Sequence, residues 1–245
     1  MPTTKAYHRF KERCSYYEVD LQLCDLLVRD FYAVADSNQS LAVALGSNLQ
    51  THPNLRQRNT QMTRNIRGGH LLKTLRASYV KDIYEDFVEF LAETMTRAAQ
   101  KGISPGRFAG NMKLDLQATE LLQAGNWDDL VALISQKIFR SLESERKTMA
   151  LISKSATRLG LNLSQQLIDS AMPYFDARHM LVHQDGKADA VYRQKYPAIG
   201  VQNGKIRIDG SFVRNAHAAI DALAREIDAK AIAADLVKPE HMHGG

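Results

Sequence analysis

Arg178, His179 and His183 fall within six residues, in the stretch RHMLVH. A packed core has little use for two imidazoles and a guanidinium. The three side chains do share a chemistry. A histidine titrates near neutral pH, so it can take a proton from a ribose 2′-hydroxyl or give one to a departing oxygen. An arginine grips a phosphate through two N–H groups and stabilises the charge that builds on the phosphoryl oxygens. Together they could cut RNA without a metal. The 2′-oxygen attacks the adjacent phosphorus and the 5′-oxygen leaves with a proton. The products carry a 2′,3′-cyclic phosphate and a 5′-hydroxyl. DNA lacks the attacking hydroxyl and would be inert.

The spacing alone is weak. With eight histidines among 245 residues, an Arg followed five positions later by His arises by chance roughly 0.6 times. Arg64 and His70 match a looser version of it, but in a glycine-containing stretch. Context singles out Arg178 and His183. They lie in PYFDARHMLVHQDG, which predicts a helix with Pro173 in its first turn. Steps of roughly 100° per residue put Val182, Phe175, His179 and His183 within about 140° of Arg178 on one side. Tyr174, Ala177, Met180 and Leu181 take the other. The second face can pack on its own domain. The first surrounds apolar area with cationic donors, as an interface or a cleft would.

The elements that must hold this helix are read from apolar periodicity. Tyr7, Phe10, Cys14, Tyr17, Leu21, Cys24, Val28, Phe31 and Ala35 alternate steps of three and four, predicting one amphipathic helix over 5–36. Both cysteines fall on its seam and read as small buried hydrophobes. A second helix is predicted over 70–101, with Gly102 ending it. ISPGRFAGN reads as a loop and 113–124 as a short helix. Asn126 should cap a long helix that runs from WDDL to Gly160, with Asp128 and Asp129 in its first turn. Ser164 should cap a short helix before the Arg178 helix. Asn203-Gly204 between β-type residues signals a two-residue hairpin. Ser211 should cap a last helix with Phe212, Ala216, Ile220, Leu223 and Ile227 on one face. The class is all-α with one small hairpin.

Composition fits a folded chain, with 44% hydrophobic and 24% charged residues. Two cysteines without metal-ligand spacing read as a reduced, cytoplasmic protein. The N-terminal stretch MPTTKAYHRFKER lacks the apolar core of a secretory signal, and no apolar run is long enough to span a bilayer. The net charge of +5 is mild, but its distribution is sharp. No Asp or Glu occurs between Asp36 and Asp82, while Arg56, Arg58, Arg64, Arg67, Lys73, Arg76 and Lys81 do. THPNLRQRNTQMTRNIRGGH reads as a basic loop, either merely solvated or an arm that contacts RNA phosphates through Arg56, Arg58, Arg64 and Arg67, with Lys73 and Arg76 beyond it.

Arg178-HMLV-His183 resembles the R-x4-H signature of the HEPN superfamily. The polar residue that commonly follows the Arg is here His179, and HQDG resembles the HNDG-like turn of members grouped as RiboL-PSP-HEPN. YVKDIYEDFVEFLAE, RSLESERKTMALISKSATRLG and SFVRNAHAAIDALAREI resemble, more loosely, the early, long and closing helices of that family. The likeness covers roughly 70–235 and leaves 1–69 unexplained. It implies a bundle of four or five helices that dimerises through the motif helices, so that two Arg/His pairs form one composite ribonuclease cleft. Arg178 and His183 would be catalytic and His179 auxiliary. Active members are often toxins or antiviral effectors that cut tRNA or other cellular RNA, and for such a role an antitoxin or regulatory partner could control this chain. Others are inactive dimerisation or partner-binding modules.

The expected division is therefore a long helix plus basic loop over 1–69, a HEPN-like domain over 70–235, and a tail over 236–245. The residues fit two functions: a metal-independent endoribonuclease acting as a homodimer, and a non-catalytic dimerisation or partner-binding module. No cofactor is expected. His241 and His243 form an H-x-H pair, but in a tail expected to be mobile and without a third ligand. Asp185 could orient His183 or close the turn after it. Tyr192, Arg193 and Lys195 could line the cleft or be solvated. Arg140, Glu143 and Lys147 would share one helical stripe, and Trp127 would pack at a helix start.

Overall fold

In the computed structural model, which describes residues 2–144 and 147–244, the chain is all-α with two small two-stranded β pairs. No helix among the described residues is long and apolar enough to cross a membrane. Helix α1 spans Lys5–Ala33, α2 Leu41–Ala44, α3 Gln61–Lys101, α4 Pro105–Ala109, α5 Ala118–Gln123 and α6 Trp127–Glu143. Then follow α7 Thr148–Leu159, α8 Gln165–His183, α9 Ala190–Lys195 and α10 Gly210–Ala233.

Helix α3 is the axis of the molecule, and α1, α6, α8 and α10 pack around it. Its C-terminal half buries Tyr79, Ile83, Phe87, Phe90, Leu91 and Met95. The expected seam of α1 meets it: Tyr7, Phe10, Cys14 and Val28 are buried, and Tyr17 stands edge-on to Tyr79. Burial pushes the Cys14 thiol far up, which leaves it a packing residue. Tyr7, Phe10 and Cys14 join the same core as α8 and α10. Helix α3 also crosses 69–70 without a break. The expected division between 69 and 70 therefore marks no separate packing unit.

The start of α3 is nine residues earlier than periodicity predicts. Its polar, Gly-Gly-containing first turns look like loop, yet one local and two long-range contacts hold them helical. The Thr60 side chain accepts from Thr63 N at 3.2 Å. Gly68 lets the Tyr32 ring lie against the backbone, where a Cβ would meet that ring at 2.5 Å. Arg64 anchors the turn from within, as described below. Gly102 ends the helix at φ +105°, as expected.

Other boundaries also shift. The expected single helix from Asn126 to Gly160 is two, because α6 ends at Glu143, where the Ser144 hydroxyl donates back to the Ser141 carbonyl at 2.8 Å, and α7 begins at Thr148. Asn126 does cap α6, accepting from Asp129 N at 2.9 Å. ISPGRFAGN contains α4. The two helices expected around Pro173 are one: α8 continues through it, and the Tyr192 hydroxyl donates to the Pro173 carbonyl at 2.9 Å. Asp209, not Ser211, caps α10, accepting from Phe212 N at 2.9 Å. The five residues predicted for the buried face of α10 are all buried. Asn203 and Gly204 both take positive φ, joining β2 (Val201–Gln202) to β3 (Lys205–Ile206) as the hairpin signal predicts.

The tail is not loose. Leu236 enters the core, and β4 (Met242–His243) pairs with β1 (Thr3–Thr4). His243 stacks on His8 with ring centroids 3.5 Å apart, and the His241 Nε2 lies 3.4 Å from the Arg97 guanidinium. Beneath this pair the buried Asp228 carboxylate accepts from Thr4 N at 3.3 Å and from its hydroxyl at 2.5 Å. Burial pushes the Asp228 carboxyl above its ordinary value, with the Thr4 hydrogen bonds opposing. A raised carboxyl stabilises the fold at low pH, and that contribution is lost as pH rises through it. Asp228→Asn should therefore raise Tm at pH 7, and the gain should vanish as pH falls toward 4 in thermal melts.

Candidate functional site

The motif residues sit on the last two turns of α8. Up to Phe175 α8 buries Ile168, Ala171, Met172 and Phe175; beyond it α8 buries Ala177 and Met180, on the other side. The switch of faces is what opens the Arg178 side near the C-terminus. Ala177 and Met180 are buried as their wheel positions predict. Phe175 is not part of the open face. It is 1% exposed and packs on Phe87 and Tyr84 of α3, at 5.0 and 5.7 Å between centroids. The open face is thus Arg178, His179, Val182 and His183.

Arg178 is held from two directions. Its guanidinium lies over the Tyr84 ring, 4.5 Å from the centroid, and one terminal nitrogen pairs with Glu85. Its Nε is buried without a hydrogen-bond partner. His179 and His183 are exposed, with ring centroids 4.7 Å apart, and neither imidazole has a hydrogen-bond partner among the described residues. Two unengaged imidazoles beside a fixed guanidinium can hold and move protons next to a bound phosphate.

The turn after α8 is closed by Asp185 at φ +52° and Gly186 at φ +74°, with Gly186 N donating to the Met180 carbonyl at 2.9 Å. Asp185 pairs with Lys205 of the hairpin, which holds its carboxyl below the usual carboxylate range. It closes the turn and makes no hydrogen bond to His183. Lys73 and Lys187 lend their charges to the same carboxylate.

The six basic residues expected to contact RNA divide. Arg64 is 3% exposed, with its guanidinium on Asn59 at 2.6 Å and Asp36 at 2.9 Å. It ties the 36–59 segment to α3 and cannot reach a phosphate. Arg76 is mostly buried and pairs with Asp25 at 2.8 Å. Arg56, Arg58, Arg67 and Lys73 are exposed. Arg56 donates to the Pro53 carbonyl at 2.9 Å, and Arg58 to Asn38. Arg67 belongs to α3, not to a loop.

The smaller expectations also separate. Tyr192 is buried beneath α8, Lys195 reaches Asp176 at 3.1 Å, and Arg193 is exposed. Lys147 precedes α7, so it shares no stripe with Arg140 and Glu143 of α6. Trp127 is 73% exposed and does not pack at the start of α6. Among the described residues no three His, Cys, Asp or Glu are grouped to hold a metal. Tyr84 and Glu85 were missed as site residues. They lie more than ninety positions from Arg178, and no local pattern marks a contact between α3 and α8 at that range.

Comparison with protein families, curated proteins and solved structures found no match. The residues themselves carry the functional argument.

Proposed function

We propose that the protein is a metal-independent endoribonuclease, with Arg178 holding the scissile phosphate and His183 transferring the proton. His179 assists, and Arg56, Arg58, Arg67 and Lys73 hold flanking phosphates. The observation that carries this reading is the pair of exposed, unengaged imidazoles beside an oriented guanidinium at the end of α8. The resemblance to HEPN ribonucleases supports a homodimer in which two such ends meet, and a role as a toxin or antiviral effector checked by a partner. Val182, 44% exposed between the motif residues, suits the apolar centre of that contact. The test is cleavage of total RNA in EDTA by wild type, Arg178→Ala and His183→Ala, with product ends read by their response to polynucleotide kinase.

A second reading, a non-catalytic binding module, is favoured by the Glu85 carboxylate, which already occupies one side of Arg178. Glu85→Gln separates the two. In the nuclease, freeing the guanidinium of that charge tightens RNA binding several-fold in fluorescence anisotropy, because phosphate no longer competes with a carboxylate. In the binding module, the same substitution leaves RNA affinity unchanged.

A further inference from the structure

Helix α1 carries two apolar stripes. The inner one is covered by α3. The outer one is Tyr16, Val19, Leu23 and Leu26, stepping three, four and three, with Leu27 beside Leu23. Their exposures are 62, 59, 52, 50 and 61%. Single exposed leucines are ordinary on a soluble protein. Five large apolar residues at heptad spacing make a helix seam, and nothing among the described residues covers this one.

The partner must be apolar along its middle and must not be a polyanion. Glu12 and Asp20 are exposed along the stripe without an ion-pair partner among the described residues, while Asp30 is paired with Arg29 at 3.0 Å; the two unpaired carboxylates would repel nucleic acid or an anionic lipid surface. The five side chains expose on the order of 500 Å² of apolar surface, the size at which a patch marks an interaction site. With a polar rim, that approaches the roughly 800 Å² per partner of a standard interface.

We propose that this stripe is a homotypic interface, on which α1 of a second copy packs antiparallel across a two-fold axis. The charges choose the direction. Parallel packing would set Glu12, Asp20 and Asp30 each against itself. An antiparallel pair centred on Leu23 sets Leu23 on Leu23, brings Val19 to the level of Leu26 and Leu27, and brings Tyr16, whose hydroxyl donates to Glu12 at 3.3 Å, to the level of the Arg29–Asp30 pair. Such an isologous contact closes by itself. It is separate from the motif face. Helix α3 meets α1 through Tyr79 and Asp86, and meets α8 through Tyr84 and Glu85, so the two surfaces lie on different flanks of α3. The inference goes beyond the ribonuclease reading and does not depend on it. Were both interfaces used, the assembly would be larger than a dimer, and a tetramer where the two two-fold axes cross at right angles.

The full chain and a Leu23→Glu/Leu27→Glu double variant are compared by light scattering on a sizing column, with circular dichroism and melts to confirm folding. The expected result is a two-fold lower mass for the variant with an unchanged spectrum. Leu23→Cys, placed on the axis, should cross-link to itself under mild oxidant above the wild-type background, while Tyr16→Cys, roughly 20 Å from its mate along the helix, should not. Equal masses for wild type and a folded double variant would overturn the interface. Equal cross-linking at positions 16 and 23 would overturn the antiparallel register. RNA cleavage by the double variant is read separately, so failure of the nuclease reading leaves the mass comparison standing.

Discussion

His183→Ala and Arg178→Ala each lower RNA cleavage by about 100- to 10,000-fold, the range for removing a proton-transfer group or a charge-stabilising donor. The two losses have different companions. His183 is exposed and without a hydrogen-bond partner, so its removal changes stability by no more than about 0.5 kcal/mol. A folded, inactive His183→Ala protein therefore isolates chemistry from folding. Arg178→Ala also gives up its stack on Tyr84, a contact worth about 1 kcal/mol at a partly exposed site, and a small drop in Tm accompanies it. Arg178→Lys does not rescue, because an ammonium keeps the charge but loses the planar fork that stacks on a ring and grips two phosphate oxygens. Kinetics on a short RNA, read beside melts of the same samples, check all three. Wild-type silence, or His183→Ala cutting at the wild-type rate, would sink the nuclease reading.

The parts of this molecule that were legible in its sequence are those fixed by neighbours within a turn or two. The seam of α1 from Tyr7 to Val28, the Asn126 cap, the Gly102 stop, the Asn203-Gly204 hairpin and the buried face of α10 all rest on spacing or on one residue's backbone preference. What was not legible depends on partners far along the chain. The first turns of α3 read as loop because Gly68 and Gly69 weaken a helix, and only the Tyr32 ring from α1 explains why Gly68 belongs there. Arg64 looked like a phosphate contact among other arginines. It became a structural residue through Asp36, twenty-eight positions away. The same holds at the site. RHMLVH announced itself, but Tyr84 and Glu85, which position Arg178, did not.

Phe175 joins both lessons, and Phe175→Ala has the largest expected effect on stability. On a helical wheel it shares the face of Arg178, Val182 and the two histidines, where truncation would be nearly neutral. In the structure α8 changes its buried side along its length, and the Phe175 ring is enclosed by Phe87 and Tyr84. Truncation there should cost about 3–5 kcal/mol, from the lost transfer energy and the cavity left against α3. Val182→Ala, on the same side one turn beyond Arg178 and 44% exposed, should stay within about 0.5 kcal/mol. Urea titrations of the two variants measure the contrast, and a cost below about 1 kcal/mol for Phe175→Ala would show that the ring is not enclosed. The consequence reaches the site through Tyr84. That ring packs on Phe175 and carries the Arg178 guanidinium on its face. Removing Phe175 frees Tyr84 to move, so Arg178 loses its platform even where the fold survives. Cleavage by Phe175→Ala, assayed well below its Tm, should therefore fall.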